Sequence, residues 1–248
     1  MTTEDNHQGR IIFIATPIGN LGDITLRSIE ALKEADLIAC EDTRRSSKLL
    51  NRLEIKKPLI SFHEHNERHR GQHLLDEVKA GKIIACLTDA GMPGISDPGY
   101  RLVQDCLADT VPFEILPGPS AVLMALLGSG LPTDSFYFGG FLPHKKGKRK
   151  SELEEAIQRD CTSVYFESPH RIIASLEILK DFAPQHPLCV ARELTKKFES
   201  WYRGTVTEVI PTLGTGKVKG EITLLIGGKQ KTKKAKGGRN LTPASIEP

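Results

Sequence analysis

The 248 residues carry 34 Lys and Arg against 31 Asp and Glu, a net charge of +3. With 39% hydrophobic and 26% charged residues, the chain has the make-up of a globular protein with a sizeable core, which excludes global disorder. No apolar run reaches the roughly 18 residues of a membrane span, the start Met1–Gly9 has no basic-then-apolar leader, and five scattered cysteines without a CxxC pair argue for reduced thiols in a cytoplasmic protein.

The pattern alternates along the chain. Ile11–Thr16 is a short β-branched run closed by Pro17 and Gly19, which predicts a buried strand. Asp23 stands at a helix N-cap position, with Leu26, Ile29 and Leu32 following at helical spacing. Leu37–Cys40 predicts a second strand, 43–53 a helix, Leu59–Phe62 a third strand, and 66–80 a polar helix stopped by Gly81. Ile83–Leu87 is a fourth strand, followed by helix 100–108, strand Phe113–Leu116 and helix 120–127. Such alternation implies βαβ units and a mostly parallel sheet.

Gly128–Asp134 (GSGLPTD) reads as a linker. Beyond it, Phe136–Phe141, Thr162–Glu167, Leu188–Glu193, Phe198–Gly204 and Glu221–Ile226 read as strands, with a basic helix to about Arg159 and another over 171–182. The expectation is an α/β chain of two domains. The N-terminal one, 10–128, has a mostly parallel sheet with flanking helices; the C-terminal one, 129–228, has a mixed sheet. Residues 1–9 and 229–248 read as disordered ends. The last twenty residues hold six basic residues and one acid, so they carry +5 and the remaining chain −2. A second basic cluster is Lys145, Lys146, Lys148, Arg149 and Lys150. Local basic patches on a near-neutral body suit contact with phosphates.

The chain has no GxGxxG after its first strand, no GxxxxGK[ST] and no GxSxG. It has instead three Gly- and Pro-rich loops, each after a predicted strand: Thr16–Asp23 (TPIGNLGD), Thr88–Gly99 (TDAGMPGISDPG) and Leu116–Ala121 (LPGPSA). Ligands of open parallel sheets bind beyond the carboxyl ends of the strands, so three such loops on one edge make one cleft. Glu41-Asp42-Thr43-Arg44-Arg45 follows the second strand. Its carboxylates either cap the next helix or act as general base, with Arg44 and Arg45 on phosphate. Glu167-Ser168-Pro169-His170-Arg171 repeats that pattern. His65, His69 and His73 share one helical face among polar neighbours, which reads as solvated surface ahead of a metal site.

Nine strings occur in order: ATPIGNLGDITLRSIEAL from Ala15, ADLIACEDTRRS from Ala35, SFHEHNE from Ser61, DAGMPGISDPGYRLV from Asp89, LPGPSAV from Leu116, GFLPHK from Gly140, ESPHRI from Glu167, ARELTKKFE from Ala191 and KGEITLLI from Lys219. Together they resemble the ribosomal RNA small subunit methyltransferase I family, of the tetrapyrrole-methylase superfamily (class III methyltransferases). The resemblance spans 10–228. Met92 stands where the family string has Thr, and Thr88 where it has Ser; neither change removes a charge.

The resemblance implies two α/β domains with S-adenosylmethionine in the cleft between them, a homodimer, and 2′-O-methylation of a cytidine in the decoding region of 16S rRNA. The basic patches, split between two domains and a tail, predict the assembled small subunit as the substrate. The resemblance also implies cofactor contacts from Pro17, Gly19, Asp89, Ala90, Gly91, Met92, Pro93, Ile95, Ser120, Ala121, Phe166 and Glu167. A ribose hydroxyl needs its proton removed as it attacks; the candidates are Asp42, Glu41, His63 and Glu167. Arg44, Arg45, His170, Arg171 and Lys196 are the candidate phosphate contacts, extended by Lys145–Lys150. No residue set calls for a metal. The competing reading is a methylase of a tetrapyrrole or other small molecule on the same fold.

Overall fold

The computed structural model describes residues 9–214 and 218–229. Most of the basic tail, 230–248, and residues 1–8 of the N-terminal segment lie outside the described residues. The first half runs β1 (Arg10–Ile14), α1 (Leu26–Glu34), β2 (Leu37–Cys40), α2 (Thr43–Arg52), β3 (Leu59–Ser61), α3 (Glu67–Lys79), β4 (Ile83–Leu87), α4 (Tyr100–Ala108), β5 (Phe113–Leu116) and α5 (Ala121–Ser129). The second runs β6 (Phe136–Phe141), α6 (Lys146–Gln158), β7 (Thr162–Glu167), α7 (Ile172–Phe182), β8 (Pro187–Arg192), β9 (Ser200–Thr205), α8 (Val206–Thr212) and β10 (Ile222–Ile226).

The first sheet has the order β3-β2-β4-β1-β5 and all its strands are parallel. Its two central strands, β1 and β4, are apolar almost throughout, as a sheet covered on both faces requires. Side chains alternate in β1: Ile12 and Ile14 pack with Leu32 and Leu50 from α1 and α2, while Ile11 and Phe13 pack with Leu74, Leu75 and Leu102 from α3 and α4. The chain leaves β1 toward one face and β4 toward the other. Adjacent strands with diverging exits define the topological switch point, where a parallel sheet opens a crevice.

The second sheet has the order β6-β7-β10-β8-β9; β6 and β7 are parallel and every other pair is antiparallel. One face packs on α6, α7 and α8 through Leu153, Leu176, Leu179 and Val209. The other face is covered by α5, whose Val122, Ala125 and Leu126 pack against Val164, Cys189 and Leu225. A helix that follows the last parallel strand therefore serves the mixed sheet. The linker string begins inside this helix, which ends at Gly130 in the left-handed region (φ 75°).

Two local readings are corrected. Thr25, not Asp23, caps α1, accepting from the Ser28 amide; Asp23 closes a short 3-10 turn at Leu21–Asp23. The short helix α8, which the strand reading of this region passes over, buries Val206 and Val209 and packs Ile210 and Leu213, spaced i, i+3, i+4 and i+7, on the core. Its signal is the capping box of Thr205 and Glu208, each side chain bonded to the other's backbone amide.

Candidate active site

The three loops meet at the switch point. Thr16 and Gly91 exchange backbone hydrogen bonds of 2.9 and 3.0 Å, tying the loop after β1 to the loop after β4. Gly91 adopts φ 85°, the left-handed region where a side chain is disfavoured. Gly118 lies against Ala15, so close that an added Cβ would sit 2.7 Å from the alanine methyl. Pro17, Asp89, Ala90, Gly91, Met92, Pro93, Ser120 and Ala121 are thereby gathered on neighbouring loops, and Ile95 is exposed on the second of them.

The mixed sheet closes the crevice from the other side. Ile18 is buried with Ala191 and Leu194, and Ala90, Ala121 and Phe166 pack on the same cluster. A Cβ on Gly19 would fall 2.8 Å from the carbonyl oxygen of Leu194. The register of β6 on β7 slips between Phe138 and Phe141, where Gly140 (φ 63°) faces the Ser96 hydroxyl.

Carboxylates from two loops converge at the mouth. Asp89 Oδ1 accepts from the Asp42 amide at 3.1 Å, Asp89 Oδ2 pairs with Arg45 at 3.1 Å, and the Asp89 amide points to Glu41 Oε2 at 3.4 Å. Burial, reinforced by the Asp89 charge, raises the Glu41 carboxyl above its usual range. Asp97 belongs to the same group: burial, then the charges of Glu41 and Asp89, push it up to about 7. His63 follows β3, close enough for its charge to act on Glu41, and Asn66 holds its Nε2 at 3.2 Å.

Two of the four base candidates are committed elsewhere. Asp42 is the N-cap of α2, accepts from the Arg44 amide and forms a two-point pair with the Arg44 guanidinium, which lowers it to about 2. A carboxylate so stabilised as the anion is a poor proton acceptor. Glu167 is buried and accepts from the Ser168 amide, the Ser175 hydroxyl and Arg171, all within 2.7 Å. Glu41 is not locked in this way, His63 keeps its buried Nδ1 without a partner while Asn66 holds Nε2, and Asp97 joins them. The sequence reading missed Asp97 although it lies in the second loop; its signal was a second acid, eight residues after Asp89, between Ser96 and Pro98.

The cations divide as well. Lys145, Lys146, Lys148 and Lys150 are exposed at the start of α6, and His170 is exposed at the start of α7. Arg149 is not: it is buried, with Nη1 turned toward the carbonyls of Pro143 and His144, so it braces the turn before α6. Arg171 is held by Glu167, and its Nε and Nη1 are buried without a partner. Lys196 is paired with Glu193 and Glu221. On the helix 67–79, His69 and His73 are exposed, and His65 precedes it. Among the described residues no three His, Cys, Asp or Glu are arranged to hold a metal, and no helix is long and apolar enough to cross a membrane.

The model of the tetrapyrrole (corrin/porphyrin) methylases matches residues 10–210. Ribosomal RNA small subunit methyltransferase I of Halalkalibacterium halodurans is 43% identical over 92% of this chain and 81% of its own length. The protein of the same name from Thermotoga maritima is 44% identical over 90% of this chain and all of its own. Among solved structures, uroporphyrin-III-C-methyltransferase from Thermus thermophilus superposes with a TM-score of 0.64 at 21% identity, covering 88% of this chain and 94% of that one. The cobalt precorrin-4 methyltransferase gives 0.64 at 18% identity over 92% and 98%; both show the shared fold. The chain belongs to the tetrapyrrole methylase family, within the group of ribosomal RNA small subunit methyltransferase I proteins, and is a methyltransferase.

Proposed function

We propose that this methyltransferase moves a methyl group from S-adenosylmethionine to the ribose 2′-oxygen of a cytidine in the decoding region of 16S rRNA. The observation that carries the substrate class is the 43% identity, over nine-tenths of the chain, to a protein named for small-subunit ribosomal RNA. The exposed lysines of α6 and the arginines of α2 support it, since a phosphate backbone is bound by such cations. We take the assembled small subunit as the substrate, the cytoplasm as the compartment, and two units divided near the end of α5, 10–128 and 129–228. We also take the active form as a homodimer: Leu123 and Leu127 of α5 are 56% and 79% exposed on a helix apolar nearly all round.

The cleft residues suit the cofactor. Glu41, Asp89 and Asp97 are a donor set for a cationic group, and the close-packed glycine loops leave no room for further side chains at the seam. S-adenosylmethionine, when bound, supplies a methyl activated by a sulfonium. The loops after β1, β4 and β5, with Phe166 opposite, would hold it. Positioning then supplies much of the acceleration. The proton of the 2′-hydroxyl passes to one of Asp97, Glu41 and His63; burial raises Asp97 to about 7, near neutrality, whereas Asp42, stabilised as the anion by Arg44, is too weak a base. Arg45 holds Asp89 in place.

The test is transfer of labelled methyl from S-adenosylmethionine to small ribosomal subunits lacking the modification, followed by nuclease mapping. Label on a cytidine 2′-oxygen supports the reading. Retained cofactor binding with no label on RNA, and label on a tetrapyrrole instead, would favour small-molecule methylation on the same fold.

A further inference from the structure

Beside the crevice lies a groove of about 860 Å³ lined by Gly19 and Asn20 of the first loop, Arg52 at the end of α2, and Thr195, Lys196 and Lys197 of the loop after β8. Its walls come from three separate stretches of chain. The loop after β8 is held in an unusual shape: Glu193 and Thr195 have φ 54° and 64°, and Glu193 Oε1 accepts from both Lys196 and the Glu221 amide. The hydroxyl of Thr195 is buried there without a partner.

Helix α2 connects this groove to the reaction site. Arg44, Lys48 and Arg52 recur every four residues, which places them on one face, and all three are exposed. The row is about 12 Å long at 1.5 Å per residue. Its start is beside the carboxylates, where Arg44 and Arg45 pair with Asp42 and Asp89. Lys48 lines a second, smaller hollow with Pro17, Arg45 and Asp89. Its end is fixed by the helix stop: the amides of Glu54 and Ile55 bond back to Asn51 and Leu50, and Glu54 has φ 57°. The cations nearest the reaction site are neutralised by carboxylates. Among the described residues, Lys48, Arg52 and Lys197 have no acidic partner, although Lys197 lies over the ring of Phe198 at 5.7 Å. Unpaired cations in a line that leads away from a site recognise a chain of anions.

We propose that Lys48 and Arg52 of α2, together with Lys197, form a track for the sugar-phosphate backbone of the RNA strand flanking the target nucleotide. This rests on the RNA reading of the active site and adds to it where the strand leaves the crevice. The lysines of α6 would hold a different part of the same substrate.

The test compares full-length wild type with the Lys48→Gln/Arg52→Gln/Lys197→Gln variant on unmodified small subunits over a range of salt. The KM for subunits should rise on the order of tenfold at moderate salt, and the dependence of log(kcat/KM) on log[salt] should become shallower by about 2, from three single-strand phosphate contacts at about 0.7 each. Calorimetric affinity for S-adenosylmethionine should stay at the wild-type value. The Lys48→Arg/Lys197→Arg variant should keep the wild-type slope; an equal loss there would overturn the assignment to charge. An unchanged slope and KM in the glutamine variant, with wild type active on RNA, would overturn the track alone. Wild type inactive on every RNA substrate would instead overturn the RNA reading and the track with it.

Discussion

The parallel sheet and the mixed sheet bring opposite chemistry to the crevice. From the parallel sheet come Glu41, Asp89 and Asp97, two of them raised in proton affinity by burial and by one another. The acids of the mixed sheet are spent: Glu167 is closed by Arg171, Ser168 and Ser175, and Glu193 by Lys196 and the Glu221 amide. The difference follows from construction. Parallel strands all end at one edge, so their loops crowd like charges together. Antiparallel strands alternate, and here their loop acids meet partners from nearby elements, Glu167 from α7 and Glu193 from Lys196 and the amide before β10. Crowded acids are held at an electrostatic cost and stay reactive; paired acids stabilise the frame.

Substitutions separate the two kinds of carboxylate. Asp97→Asn should slow single-turnover methyl transfer by about 10²–10⁴, the usual contribution of a positioned base, while the variant still folds. Glu167→Ala should instead lower stability by about 3–5 kcal/mol, because it leaves the largely buried Arg171 unpaired; denaturant unfolding reads this directly. An Asp97 variant that loses stability and keeps its rate would invert the comparison.

The seam between the sheets is tested by Gly19→Ala. Its Cβ would meet the Leu194 carbonyl at 2.8 Å, so a loss of about 1–3 kcal/mol and weaker S-adenosylmethionine binding are expected. Gly22→Ala, whose nearest neighbour is the Asn20 side-chain oxygen at 3.2 Å, should change thermal stability less. The smallest effect belongs to Asp42→Ala, a slight drop in melting temperature from the lost helix cap, with transfer retained once stability is allowed for.

Much of the frame was legible in the sequence. The apolar runs of β1 and β4 and the Gly- and Pro-rich loops after them mark buried parallel strands with ligand loops, and the mixed character of the second sheet followed from its closely spaced strands. The pairing order was not legible, nor was the packing of α5 on the second sheet, because a helix apolar on all faces carries no sign of which neighbour it covers. Within the site, EDTRR and ESPHR look alike as strings. Only the fold shows that Asp42 and Glu167 are locked by bonds to their own turns while Glu41 is left beside Asp89. Asp97 escaped notice for a related reason: its proton affinity comes from burial and from the charges of Asp89 and of Glu41, the latter far away in sequence. Likewise Arg149 reads as one more surface cation in a basic run, yet the helix turns it inward.

The central claim is that a carboxyl raised by burial and crowding takes the proton in methyl transfer. The direct measurement is the single-turnover rate on unmodified small subunits against pH, for wild type and Asp97→Asn. Asp97 is active only when ionised, so the wild-type rate should climb about tenfold per pH unit below about 7 and level off above it. The variant should be slow and lack that step. A variant that keeps both the wild-type rate and its inflection near 7 would contradict the account.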